Sequence, residues 1–260
     1  MNPPLFEPGP WRLSRRSPLR MLVTGDGAPV VLFHGFAMCP EIYAATARSI
    51  AAHGHSVFCP DLFSLRGRWS AKAVVDAVAD TLDDLGIQQA LMISHSFGGG
   101  IQLDLAVAHP ELIGTLVFAD TLGLSREMRL AREAVHPSTL VRLASRPAAY
   151  SFARVALRHP AELARAAWWG FTSDRRQHAS VIARRGTPSQ VIWAERDTLL
   201  RRSEGREFAR SLGAGFHLLC GDDGRGPVDH DAMFRHPELF VRTLESIGVL
   251  ASGAVRGSAG

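Results

Sequence analysis

Short apolar runs alternate along the chain with longer stretches in which apolar residues recur every three or four positions. The first pattern predicts buried strands and the second predicts helices with one buried face. Leu19–Thr24, Pro29–Phe33 and Ser56–Cys59 read as strands, with Gly25-Asp26-Gly27 as the turn between the first two. Pro29-Val30-Val31-Leu32-Phe33 is apolar throughout, as expected of a strand covered on both faces. Helical spacing runs over Pro40–Ala52 and over Ala71–Leu85, where Val74, Val78, Leu82 and Leu85 share a face and Gly86 supplies the stop. Ala90–Ile93 and Thr115–Ala119 predict two further strands, joined through a helix over Ile101–Ala108 that His109-Pro110 closes.

Strand followed by helix, repeated, predicts an α/β fold with a mostly parallel central sheet and helices on both faces. Residues 125–185 break the alternation. They hold helical stretches interrupted by Pro137, Pro147 and Pro160 and no convincing strand, which predicts a helical lid inserted into the α/β domain. The alternation resumes with a strand at Gln190–Trp193, a helix over Ser203–Leu212, a strand at Phe216–Leu219 and a closing helix over Ala232–Ile247. The expected organisation is an N-terminal extension at 1–18, a core domain made of 19–124 and 186–250, the lid at 125–185, and a small polar tail at 251–260.

Candidate chemistry gathers where the predicted strands end. Ser94-His95-Ser96-Phe97-Gly98-Gly99 follows a strand and opens a helix. A serine in such a turn is a nucleophile elbow: the backbone bends so sharply that small residues are needed two positions either side. The hydroxyl is lifted out of the sheet, and the next helix aims its N-terminus at the place where negative charge develops. Gly98 meets the size requirement, and Ser94 stands where glycine is usual. A serine nucleophile also needs a base, an orienting acid and oxyanion donors. Asp197, just past the Gln190–Trp193 strand, is the candidate acid, with Asp120 and Glu195 as rivals. His230, in the loop after the last strand, is the candidate base. Its competitor His236 precedes Pro237 and belongs inside or at a break in the closing helix. The expected oxyanion donors are the backbone N–H groups of Phe97 and, after His34-Gly35, of Phe36. His34 itself reads as a structural hydrogen-bonder beside the substrate pocket.

Composition narrows the partners. The net charge of +4 is spread over arginines, with no basic patch interleaved with aromatics, so a nucleic-acid partner is not expected. Cys39, Cys59 and Cys220 are odd in number and far apart, which argues for a reducing compartment. The proline- and arginine-rich start has no apolar signal region, and no run is long enough to span a membrane. The expected location is cytoplasmic. The remaining histidines form no metal set, and the first strand–helix turn lacks a dinucleotide fingerprint, so neither metal nor cofactor is expected.

Taken together, His34-Gly35-Phe36, Pro60-Asp61-Leu62, the elbow, Ile192-Trp193-Ala194-Glu195-Arg196-Asp197, and His230 followed by Pro237-Glu238-Leu239-Phe240 resemble the α/β-hydrolase superfamily, of the type with a helical lid. The resemblance covers roughly Leu19 to Gly248. It implies a Ser96–Asp197–His230 triad and an oxyanion hole at Phe36 and Phe97. By the same analogy the lid covers the pocket, where Phe152, Trp168, Trp169 and Phe171 either wall an apolar cavity or pack the lid down. The expected function is a serine hydrolase acting on an ester or related acyl bond of a small, largely apolar molecule. Carbon–carbon hydrolysis, acyl transfer and peracid formation use the same triad, and a ligand-binding or signalling module could keep the scaffold.

Overall fold

The computed structural model of the chain describes residues 11–13, 19–65, 67–122, 146–221 and 228–250. Within these, eight strands form one sheet: β1 (Trp11–Leu13), β2 (Arg20–Thr24), β3 (Ala28–Phe33), β4 (His55–Pro60), β5 (Ala90–His95), β6 (Ile113–Ala119), β7 (Ser189–Ala194) and β8 (Gly215–Leu219). Their spatial order is β1-β2-β4-β3-β5-β6-β7-β8. From β4 through β8 every pairing is parallel, while β1 with β2 and β2 with β4 pair antiparallel. The described helices are α1 (Ala44–Ala51), α2 (Ala71–Asp84), α3 (Gly98–Ala108), α4 (Arg146–Arg158), α5 (Pro160–Thr172), α6 (Arg176–Arg184), α7 (Arg202–Leu212), α8 (Ala232–Arg235) and α9 (Pro237–Ser246). None is long and apolar enough to cross a membrane.

The central strands are apolar at consecutive positions because each supplies two cores. Val31, Phe33, Met92, Phe118 and Trp193 face one core, closed by α2, α3 and α7. Their neighbours Val30, Leu32, Ile93, Val117 and Ile192 face the other, closed by α1 and α9. Alternation of side chains along a strand divides them in this way.

The strand order also places the site. The chain passes from β3 to β4 on one side, then crosses back to β5 on the other. In open α/β sheets the crevice at such a reversal lies past the carboxyl ends of the strands. Phe33 of β3 is in register with Ser94 of β5. The loop beginning at His34 and the turn at Ser96 therefore leave the sheet side by side.

Several elements differ from the sequence expectation for local reasons. Strand β1 lies within the predicted extension; three residues are too few to show a period. Leu85 is 36% exposed, because it caps α2 where the chain turns away through Gly86 at φ 66°. α3 starts at Gly98, ahead of the predicted Ile101, because three successive glycines carry no hydrophobic signal. The closing helix is two helices broken at His236 (φ −129°, ψ 58°), since Pro237 disfavours α conformation in the residue before it. Of the predicted lid, 125–145 lies outside the described residues. The remainder forms α4, α5 and α6 between β6 and β7. Pro147 and Pro160 both stand in a first helical turn, where a missing N–H is harmless.

Candidate active site

Ser96 leaves β5 with φ 52°, a left-handed conformation that L-residues adopt at a cost. The turn is held by Ser96 N–H donating to Ala119 O at 3.0 Å and by Thr121 Oγ1 donating to Ser96 O at 3.0 Å. The need for small residues is visible in the packing. A Cβ on Gly98 would stand 2.8 Å from the Phe33 and His34 carbonyl oxygens, and one on Gly99 would lie 1.5 Å from Thr121 Oγ1. Ser94 fits in place of glycine: it is fully buried, and its hydroxyl donates to Val117 O at 3.4 Å.

Three side chains named from separate stretches of sequence converge here. Ser96 Oγ lies 3.0 Å from His230 Nε2, and His230 Nδ1 lies 2.8 Å from Asp197 Oδ2. A carboxylate only accepts, so Nδ1 carries the proton and Nε2 is left to accept from the serine hydroxyl. The other oxygen, Asp197 Oδ1, accepts from the Leu199 and Leu200 N–H groups, each at 2.8 Å. Burial alone would raise the Asp197 carboxyl. The adjoining His230 ring, its hydrogen bond and the two N–H donors outweigh burial and hold the carboxyl below its usual range. The backbone N–H groups of Phe36 and Phe97 have no hydrogen-bond acceptor among the described residues. They stand on the two adjacent loops past β3 and β5. The arrangement can activate a hydroxyl and offer two free donors to a developing oxyanion.

A family model described as the alpha/beta hydrolase fold matches residues 28–198. The chain belongs to the α/β-hydrolase family. A 2-hydroxymuconate semialdehyde hydrolase of Pseudomonas putida is 35% identical over 109 residues, covering 39% of this chain and 39% of that protein. The match therefore spans about two fifths of that relative's length. A thermophilic esterase from Thermogutta terrifontis has the same fold at TM-score 0.70 and 17% identity, over 93% of this chain and 98% of that one. A bromoperoxidase from Bacillus anthracis gives TM-score 0.71 at 16% identity, over 90% of this chain and 98% of that one. At such identities the likeness speaks for the fold alone.

The rival acid of this α/β hydrolase, Asp120, is also at the site. It is buried beside Asp197, has φ 45°, and its Oδ1 accepts from Ala194 N–H at 2.7 Å. Burial first, then the Asp197 charge, push its pKa well above the usual carboxylate range. The remaining rivals lie apart from the serine: the Glu195 carboxylate accepts from Gly221 N–H at 3.3 Å, and His236 sits at the helix break. His34 is buried and braces the loop. Its Nδ1 donates to Gly35 O at 2.9 Å, its Nε2 accepts from Leu62 N–H at 3.0 Å, and burial lowers its pKa.

The helical insertion meets the site through Trp169, whose ring lies 5.1 Å from Phe97 and 5.7 Å from Trp69. Phe97 in turn packs on Phe36 at 5.6 Å. Trp168, the other tryptophan expected at the pocket, is 73% exposed, because the next position on a helix points about 100° away from Trp169. Phe152 is likewise partly exposed, at 37%. The side chain of Phe171 lies outside the described residues.

Four further residues join the segments of the site, and three of them have no signal in the sequence pattern. Asp229 Oδ1 accepts from His230 N–H at 2.7 Å and from Thr198 N–H at 3.1 Å, joining the histidine loop to the acid loop. Tyr43 and His95 join two other segments. Of the four, only His95 was findable, since a polar ring inside an elbow must find partners once buried.

Proposed function

We infer that the protein is a serine hydrolase that cleaves an ester or related acyl bond of a small, largely apolar substrate. The observation carrying this reading is the unbroken chain Ser96 Oγ–His230 Nε2 and His230 Nδ1–Asp197 Oδ2, at 3.0 and 2.8 Å, beside two unpartnered N–H groups. In this mechanism Ser96 Oγ attacks the acyl carbon as His230 Nε2 takes its proton. Asp197 holds the imidazole in the required tautomer and stabilises the imidazolium. The oxyanion is received by Phe36 and Phe97 N–H. His230 then protonates the leaving group, and water repeats the cycle on the acyl-enzyme. The aromatic side chains of Phe36, Phe97, Trp69 and Trp169 favour an apolar acyl group, and α4–α6 act as the lid. The three free cysteines, two of them buried, support a cytoplasmic location.

Fluorophosphonate labelling with intact-mass readout tests the reading. One adduct on the wild type and none on Ser96→Ala is expected, with kcat on a responsive ester reduced about 10⁶-fold in the variant. A folded wild type that takes no adduct would sink it. Carbon–carbon hydrolysis is the second reading, favoured by the 35% identity to a 2-hydroxymuconate semialdehyde hydrolase. Turnover of that semialdehyde in preference to a panel of simple esters would promote it.

A further inference from the structure

Tyr43 and His95 lie behind the proposed triad, fully buried and touching neither Ser96 Oγ nor the His230 ring nitrogens by hydrogen bonds. Their own bonds form one chain whose direction is determined at every link. Gly35 N–H can only donate, and it donates to Tyr43 Oη at 3.1 Å. The Tyr43 hydroxyl proton is then directed to His95 Nδ1, 2.7 Å away. That nitrogen must carry a lone pair, so the ring proton is on Nε2. Nε2 faces the carbonyl oxygen of His230 at 2.7 Å, which can only accept. His34 has the opposite tautomer, and its Nδ1 fixes the other end of the Gly35 residue through Gly35 O.

We propose that Tyr43 and His95 are positioning residues that hold the backbone of His230 in register with the loop presenting the Phe36 N–H. The inference rests on the assignment of Ser96 and His230 given above and extends it. A polar pair that merely filled the core could close its bonds locally. This one ties three segments that meet only in the fold: the links from His95 reach Tyr43, 52 residues away, and His230, 135 residues away. The base and the oxyanion donor act on opposite sides of the same acyl carbon, so their separation must be set to a fraction of an ångström. Nothing in the hydrogen bond from His230 to Asp197 sets that separation, because Asp197 stands on the β7 side. The relay also needs a neutral ring. A proton on Nδ1 would leave the Tyr43 hydroxyl without its acceptor. Burial, with the neighbouring His230 ring, pushes the His95 pKa down to about 3, which keeps the ring neutral.

The two ring nitrogens can be tested separately. His95→Gln extends an amide donor towards the His230 carbonyl, whereas His95→Asn keeps an acceptor for Tyr43 and reaches no further. The readouts are the second-order rate of fluorophosphonate labelling at Ser96, and kcat and KM on one ester. His95→Asn, which drops the bond to the His230 carbonyl, is expected to label about tenfold or more slowly with KM little changed, whereas His95→Gln and Tyr43→Phe, which keep that bond and lose the link between Tyr43 and residue 95, are expected to label about threefold more slowly than wild type. Equal rates for the Asn and Gln variants, or a wild-type rate in Tyr43→Phe, would overturn the proposal. Ring ¹⁵N spectra of the unmodified protein give a test that no folding defect can blur. His95 is expected as the neutral Nε2–H tautomer at pH 6, and an Nδ1–H tautomer or a charged ring would break the chain. If wild type is not labelled at all, the hydrolase reading fails, while the ¹⁵N spectra still decide whether the relay exists.

Discussion

Two buried carboxyl groups in contact need a proton between them, and the surroundings assign it to Asp120. Asp197 is supplied with donors on both oxygens, while Asp120 has one N–H from Ala194 and the charge of Asp197 against it. A protonated Asp120 donates to Asp197 and becomes a further support for the acid. The linkage follows in sign. The folded state holds this proton more tightly than the unfolded chain, where an aspartate ionises near pH 4, so Asp120 costs stability increasingly as pH rises above about 4 until it ionises in the fold as well. Asp120→Asn keeps a donor for Asp197 and an acceptor for Ala194 without the charge. Calorimetric Tm values should favour this variant by a margin that widens with pH. A gap constant from about pH 4 to pH 9 would remove the proton from Asp120. At this scale the side chains that stand at ends of strands are readable from sequence, since the strand pattern itself points to them. Asp229, Thr198 and Tyr43 are not, because their partners are brought close by the fold and no spacing encodes the encounter.

The elements around the elbow were readable to within a turn, because each central strand buries both faces and leaves a continuous apolar run. The exceptions are short or glycine-rich segments, β1 and the first turn of α3, where there is no periodic burial to detect. How the insertion attaches was also hidden from the pattern. Arg175, between α5 and α6, lies buried with its guanidinium 3.8 Å from the centre of the Trp169 ring. Its Nε donates to Asp104 Oδ1 of α3 at 2.8 Å. Trp169 contacts the elbow helix where Gly100 has no side chain, 2.9 Å from where a Cβ would stand. On the other side Arg154 of α4 pairs with Glu41 at 2.8 Å, and Ser151 Oγ donates to Ala37 O at 3.3 Å. The insertion is thus fastened beside both proposed oxyanion loops. Arg175→Ala should cost about 1.5–3 kcal/mol, the range for lost hydrogen bonds to a charged group, and lower Tm by about 3–12 °C. Limited proteolysis should cut the α4–α6 region sooner. Asp104→Ala in the same background should add less than it costs alone, and full additivity in this double-mutant cycle would show that the pair is not the fastening.

Over the whole molecule, charge is divided in a way that the net value of +4 conceals. Residues 125–185 carry twelve arginines against four acidic side chains, so that this segment holds +8 and the rest of the chain −4. Arg154 and Arg175 spend their charge on Glu41 and Asp104, but Arg158 and Arg184 are exposed on the insertion. A positive surface concentrates anions near it, and the effect reaches about 10 Å at 0.1 M salt before counter-ions screen it. In the proposed function, binding at Phe36, Phe97 and Trp169 rests on apolar contact, which salt does not weaken. The two contributions separate experimentally in a matched pair of esters, one neutral and one carrying a carboxylate remote from the scissile bond. For the anionic ester, kcat/KM should fall about 3- to 10-fold between low and high ionic strength, while the neutral ester stays level. Arg158→Glu should flatten the anionic slope and leave neutral turnover unchanged, because this residue is exposed and touches neither the serine nor the oxyanion loops. Parallel slopes for the two esters would mean that the arginines of the insertion have no part in attracting substrate.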